Sequence, residues 1–173
     1  MDLIQAYYRV LPMQPQIRIV PARNAEDFKT ARRLFLAYAS QLGIDLTFQN
    51  FEEEVATLPG QYAPPQGELL LAHDPSGEVI GCVALRPIAQ EGCCEMKRLY
   101  VAPGGRRHGT GKALVDAVLD AAKRIGYRDM RLDTLPTMDA ALMLYRKTGF
   151  DLISPYYDTP LKGTIFLGRR LDT

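Results

Sequence analysis

The run Arg106-Arg107-His108-Gly109-Thr110-Gly111-Lys112 collects the residue types that hold an anion on main chain. It sits between a strand end and the first turn of a strongly amphipathic helix, whose first N–H groups have no intrahelical partner and point outward. Glycines at 109 and 111 let a ligand come close to the backbone. The helix dipole and the side chains of Arg106, Arg107 and Lys112 favour negative charge at the same place. A diphosphate is the ligand such a loop fits. Two better-known phosphate loops fail here. A Walker loop would need Gly at 106 and Ser or Thr at 113, where the chain has Arg106 and Ala113. A dinucleotide fingerprint would need Gly or Ala at 114, where the chain has Leu114, and a parallel strand before the loop, which the expected antiparallel meander does not provide. Taken alone, the loop also fits an ordinary glycine-rich turn with solvated basic residues.

Other reactive side chains are few. Cys82, Cys93 and Cys94 show no ligand spacing, and adjacent Cys93 and Cys94 would form a strained bridge. Reduced thiols, as in a cytoplasmic protein, are expected. His73 reads as a surface residue, and neither it nor His108 has metal-ligand spacing, so no metal is expected. Glu95 stands out as a carboxylate inside an apolar strand. Alternation places Glu95, Lys97, Leu99 and Val101 on one face of that strand.

The elements that would position these residues follow from periodicity. Residues 1 to 15 read as an appended arm and residues 16 to 173 as one domain. Ile17 to Val20 is a first strand. Asn24, with Asp27 three positions on, starts a helix whose Phe28, Ala31, Phe35, Tyr38 and Leu42 share a face, closed by Gly43. A shorter helix covers Phe51 to Leu58, and the Pro/Gly-rich stretch 59 to 67 is a loop. Strands Glu68 to Ala72 and Glu78 to Arg86 flank the turn Asp74-Pro75-Ser76-Gly77, and Cys93 to Val101 follows. Gly109 to Ile125 is a helix with Leu114, Val118, Ala121, Ala122 and Ile125 on one face, capped by Gly126. Asp129 to Thr134 is a strand, and Thr137 caps a helix carrying Ala141, Leu144 and Tyr145. Phe150 to Ser154 and Thr164 to Leu171 close the chain as strands. The result is an α/β (α+β) fold, with a mixed, mostly antiparallel central sheet of about six to seven strands and helices on both faces.

In this setting the sequence resembles the GNAT acetyltransferase superfamily. That family's acetyl-CoA signature, Gln or Arg, two residues, Gly, one residue, Gly or Ala, is matched by Arg106, Gly109 and Gly111. It lies five residues beyond a strand ending in Leu99-Tyr100-Val101, as in the family. A second landmark appears as Ala141, Leu144-Tyr145 and Gly149-Phe150. The likeness is dense from about Glu95 to Phe150. One departure is Met138, where many relatives carry Asn seven residues before the Tyr.

The resemblance implies an acetyl-CoA-dependent N-acetyltransferase acting on a small amine by direct attack in a ternary complex. Main-chain amides from Arg107 to Lys112, including His108 and Thr110, would bind the coenzyme diphosphate. The main chain of Leu99, Tyr100 and Val101 would pair with the pantetheine arm, and Arg106, Arg107 and His108 would meet the 3′-phosphate. An alkylammonium with pKa near 10.4 is neutral in only about one molecule in 2,500 at pH 7, so the amine must lose a proton. Glu95 is the general-base candidate, matching the glutamate of the family's histone-acetylating branch. Its structural alternative is an ion pair with Lys97 or Arg98. Tyr145 is the general-acid candidate, with a core aromatic as its alternative. The acceptor pocket is expected from the first two helices, the loop 59 to 67 and the segment 154 to 160, where Tyr156 and Tyr157 offer aromatic walls or merely a proline-bounded turn.

Composition narrows the partners. The 173 residues are 47% apolar and 24% charged, with formal net charge +1. No overall field draws such a chain to nucleic acid or to an anionic membrane, and no apolar run is long enough to span a bilayer. The closing strands are able to support a homodimer. Two rivals share the motifs: an acyl-CoA-binding sensor without chemistry, and an O-acyltransferase or user of longer acyl chains.

Overall fold

The computed structural model describes residues 16–171, so the expected arm at 1 to 15 lies outside the described residues. Seven strands form one sheet: β1 (Arg18–Pro21), β2 (Glu68–His73), β3 (Val79–Pro87), β4 (Cys93–Val101), β5 (Asp129–Thr134), β6 (Asp151–Leu152) and β7 (Ile165–Arg170), in the order β1-β2-β3-β4-β5-β7-β6. Every neighbouring pair is antiparallel except β4 with β5. Short connections dictate the antiparallel pairs. The α3 crossover makes β4 and β5 parallel, so a parallel strand does precede the glycine-rich loop, contrary to the expectation above.

Four helices cover the sheet: α1 (Ala25–Leu42), α2 (Phe51–Ala56), α3 (Thr110–Ile125) and α4 (Asp139–Lys147). Asn24 and Asp27 close a reciprocal capping box on α1, and Gly43 ends it in the left-handed conformation. Helices α1 and α2 bury Phe35, Leu34, Phe51 and Val55 against Leu69, Leu71, Cys82 and Ala84. The opposite face of the sheet packs Leu85, Val83, Met96, Met130 and Leu132 against Leu114, Val118 and Ala122 of α3 and Tyr145 of α4. Helix α4 starts at Asp139 after Met138, not from a Thr137 cap. The stretch 59 to 67 contains a 3-10 turn, Gly60–Tyr62, that drives Tyr62 into the core at 1% exposure. Strand β6 holds only two residues rather than the five expected.

Two features of β4 shape the site. It pairs with β5 only through Cys93, Cys94 and Glu95, opposite Asp129, Met130 and Arg131, and the strands then part into a fork. It also carries a bulge against β3, because Cys82 faces Tyr100 while Ala84 faces Lys97, with Arg98 at φ +59°. The extra residue reverses the alternation. Lys97 and Arg98 both turn toward α1 and α2, while Leu99 and Val101 pack on the α3 side. The expected common face for Glu95, Lys97, Leu99 and Val101 therefore breaks at Arg98.

Candidate functional site

The loop before α3 is a concave run of free amides. Arg107 and Gly109 adopt left-handed φ of +66° and +75°, which turns successive N–H groups to one side. The Thr110 hydroxyl donates to Gly105 O at 2.9 Å and anchors the loop from beneath, so Thr110 offers only its main chain to a ligand. Among the described residues, no N–H from Arg107 to Lys112 has a protein acceptor in good hydrogen-bond geometry. A Cβ on Gly109 would meet nothing within 4 Å, whereas one on Gly111 would lie 3.2 Å from Leu144 Cδ2. Openness toward solvent at 109 and close packing onto α4 at 111 suit a diphosphate held by the start of a 16-residue helix.

The basic side chains divide. Arg107 and His108 are exposed, while Lys112 forms an exposed ion pair with Asp116 at 2.6 Å. Arg106, also exposed, folds back along the surface, with Nε donating to Val101 O at 3.0 Å and Nη2 to Gln41 at 2.6 Å. Ala102 N–H bonds back to Ile80 on β3, so that Val101 carbonyl points into the fork. Arg106 thus shapes the fork edge of β4, and the Leu99–Val101 edge has no β5 partner opposite it.

Between the forked strands lies a cleft bordered by Tyr38, Gln49, Lys97, Asp133, Met138 and Tyr145, among others. Tyr145 packs edge-on against Phe150, with ring centroids 5.8 Å apart. Its hydroxyl has no protein hydrogen-bond partner among the described residues, and burial, with smaller contributions from Tyr38 and Asp133, raises its pKa. It stays a protonated donor at neutral pH.

Glu95 lies one step behind this cleft on the α1/α2 face, 2% exposed. Its Oε2 receives Arg86 Nε at 2.9 Å and Nη2 at 2.8 Å, and its Oε1 receives the Tyr156 hydroxyl at 2.7 Å. The ion-pair partner is therefore Arg86, directly across on β3, and neither Lys97 nor Arg98. Tyr156 and Tyr157 form an edge-to-face cluster with Phe166, and Arg131 lies over Tyr156 at 5.5 Å. The 154 to 160 segment is thus joined to Glu95 by a hydrogen bond. Burial is the main cause raising the Tyr156 pKa, with the Glu95 charge next.

Sequence reasoning missed three side chains. Arg98 forks onto Glu54 (2.8 and 3.2 Å), donates to Gln49 at 3.0 Å and lies 5.0 Å from the centroid of Phe51, tying α2 to β4. Lys97 is buried, donates to Gln49 at 3.2 Å and stays 3.9 Å from Asp133. Asp133, on β5 beyond the fork, accepts no hydrogen bond of good geometry among the described residues. The available signal was a charged residue between buried Leu132 and Thr134 at a strand end. All three cysteines are buried free thiols, and the described residues contain no cluster of metal ligands. No helix among them is long and apolar enough to cross a membrane.

The model of the acetyltransferase (GNAT) family matches residues 30–150, spanning the fork, the amide loop and Tyr145. The chain belongs to the GNAT family. Its relatives include an uncharacterized N-acetyltransferase of Schizosaccharomyces pombe, 39% identical, with 90% of this chain and 96% of that protein covered. An aminoglycoside N(6')-acetyltransferase type 1 of Klebsiella aerogenes is 32% identical over 67% of this chain and 80% of its own. A GNAT acetyltransferase structure from Staphylococcus aureus superimposes with TM-score 0.75 at 21% identity, covering 91% of this chain and all of that one. This GNAT chain is an acyltransferase, and its family uses an acyl-CoA co-substrate. The amide loop and the open fork fit that group.

Proposed function

We propose that this GNAT protein is an acetyl-CoA-dependent N-acetyltransferase that acetylates a small amine by direct attack in a ternary complex. The observation that carries the reading is the free amide run at 107 to 112, set beside the unpaired edge of β4. The amides of Arg107 to Lys112 hold the coenzyme diphosphate, Arg107 and His108 lie where the 3′-phosphate is bound, and residues 99 to 101 flank the pantetheine arm. The coenzyme supplies the acyl group as a thioester.

The protein's own residues then move two protons. The attacking ammonium must shed one, and Glu95 Oε1 takes it through the Tyr156 hydroxyl, which already donates to that oxygen. Arg86 orients the carboxylate and keeps it in one rotamer. The Tyr145 hydroxyl gives its proton to the departing sulfur, and its burial keeps that proton in place until it is needed. Tyr156 and Tyr157 wall the acceptor side, opposite the loop 59 to 67, whose Gln61 holds Arg86 at 2.9 Å.

The test is amine-dependent release of free thiol from acetyl-CoA. Glu95→Gln should lower kcat/KM most near neutral pH and less near pH 10, where more of the amine is already neutral. Normal turnover by that variant across the range would remove Glu95 from the mechanism.

A further inference from the structure

Glu95 and Arg131 are the last residues paired across the β4/β5 fork on the α1/α2 face. Two residues further along each strand on that face come Lys97 and Asp133. Had the strands stayed paired, these two would close on each other. The fork holds them 3.9 Å apart, at the limit of an ion pair, although Lys97 is only 6% exposed.

Both charges are incompletely partnered. Lys97 makes a single hydrogen bond, to Gln49 at 3.2 Å, and Asp133 accepts none of good geometry among the described residues. Burial lowers the Lys97 pKa, which Glu95 and Asp133 counteract and Arg98 and Arg86 reinforce. The Tyr157 hydroxyl is buried near Asp133 yet bonds to no protein atom in good geometry. Of the other nearby charges, Arg98 is matched by Glu54 and Arg86 by Glu95, while Arg131 lies over the Tyr156 ring. Lys97 and Asp133 border the same cleft as Tyr145, with apolar Leu42, Leu46 and Leu161 beyond them.

A cation and a carboxylate side by side, paired with each other only at 3.9 Å, complement a ligand that bears both charges on neighbouring atoms. We infer that the acceptor is an α-amino acid, its ammonium received by Asp133 and its carboxylate by Lys97. This rests on the N-acetyltransferase reading above and names the acceptor class of that site. Lys97 then disfavours polycationic amines, since it would face their second charge across a buried gap.

The experiment compares matched pairs that differ only by the carboxylate: leucine with isoamylamine, phenylalanine with phenethylamine and tyrosine with tyramine, with spermidine and kanamycin as polycations. Thiol release gives kcat/KM for each. The amino acid should exceed its decarboxylated partner by roughly 10- to 100-fold, the range of one charge-assisted hydrogen bond. Lys97→Met should bring that ratio close to one, and Asp133→Asn should raise KM for both members of each pair while the Kd for acetyl-CoA holds. The wild-type ratios stand whether or not either variant folds. Decarboxylated amines or polycations used as well as the amino acids, or a ratio that survives Lys97→Met, would overturn the inference. Acetyl-CoA binding without thiol release from any amine would instead fail the acetyl-transfer reading, and this one with it.

Discussion

Removing Arg98 should destabilise the protein far more than a surface charge would. Its side chain is 2% exposed and that of Glu54 12%, so deletion of the guanidinium strands a nearly buried carboxylate. Breaking one partner of a buried pair costs about 3–5 kcal/mol, and each kcal/mol moves the midpoint of a chain this size by about 2–4 °C. Arg98→Ala should therefore lower Tm by roughly 6–20 °C. Two companions separate the causes. Arg98 occupies a left-handed φ of +59°, a conformation that costs a non-glycine residue about 1–2 kcal/mol, so Arg98→Gly should be less damaging than Arg98→Ala by a similar amount. Arg98→Met with Glu54→Leu should cost much less than the sum of the two single changes, because no charge is left buried alone. Calorimetry or urea titration reads all five variants, the two single changes of the double included. A loss below about 1 kcal/mol for Arg98→Ala, the scale of an exposed pair, or strict additivity in the double variant, would refute the reasoning.

Further outcomes follow from the same geometry. Tyr145→Phe removes a hydroxyl without a protein partner, so Tm should move little, while kcat falls about 10²- to 10⁴-fold, as read by paired melting and turnover measurements. Gly109→Ala leaves its Cβ in open space but strains a φ of +75°, so it should cost roughly 1–2 kcal/mol and weaken coenzyme binding measured by calorimetry. Burial raises the pKa values of Tyr38, Tyr62, Tyr145, Tyr156 and Tyr157. The unfolded chain then ionises first, so stability is intact below pH 10 and falls as pH rises beyond it, a trend that melting between pH 8 and 11 will display. Burial likewise pushes the Cys94 thiol up to about 12 and raises Cys82 and Cys93, so the native protein should be silent to a thiol reagent at pH 8 until denatured.

The sheet and its helices were legible because apolar spacing is a direct image of burial: Phe35 and Leu114 lie in the core as their helical faces require. The glycine turn into α3 was legible because glycine and a helix start leave the same mark in any fold. The bulge was not, since an arginine carries no sign of a left-handed φ, and its conformation is set by Glu54 and Phe51 more than forty residues away. Glu95 was singled out but its partners were not, because Arg86 and Tyr156 reach it only through strand register and a returning loop. Asp133 gained meaning only from the fork, whose position depends on where β4 stops pairing with β5.

The central claim is that the free amides before α3 grip the coenzyme. A structure of the protein crystallised with acetyl-CoA tests it most directly. The diphosphate oxygens should lie about 2.7–3.2 Å from amide nitrogens between Arg107 and Lys112, with the thioester in the β4/β5 fork beside Tyr145. A diphosphate seated on any other part of the surface, with those amides still facing solvent, would contradict the account.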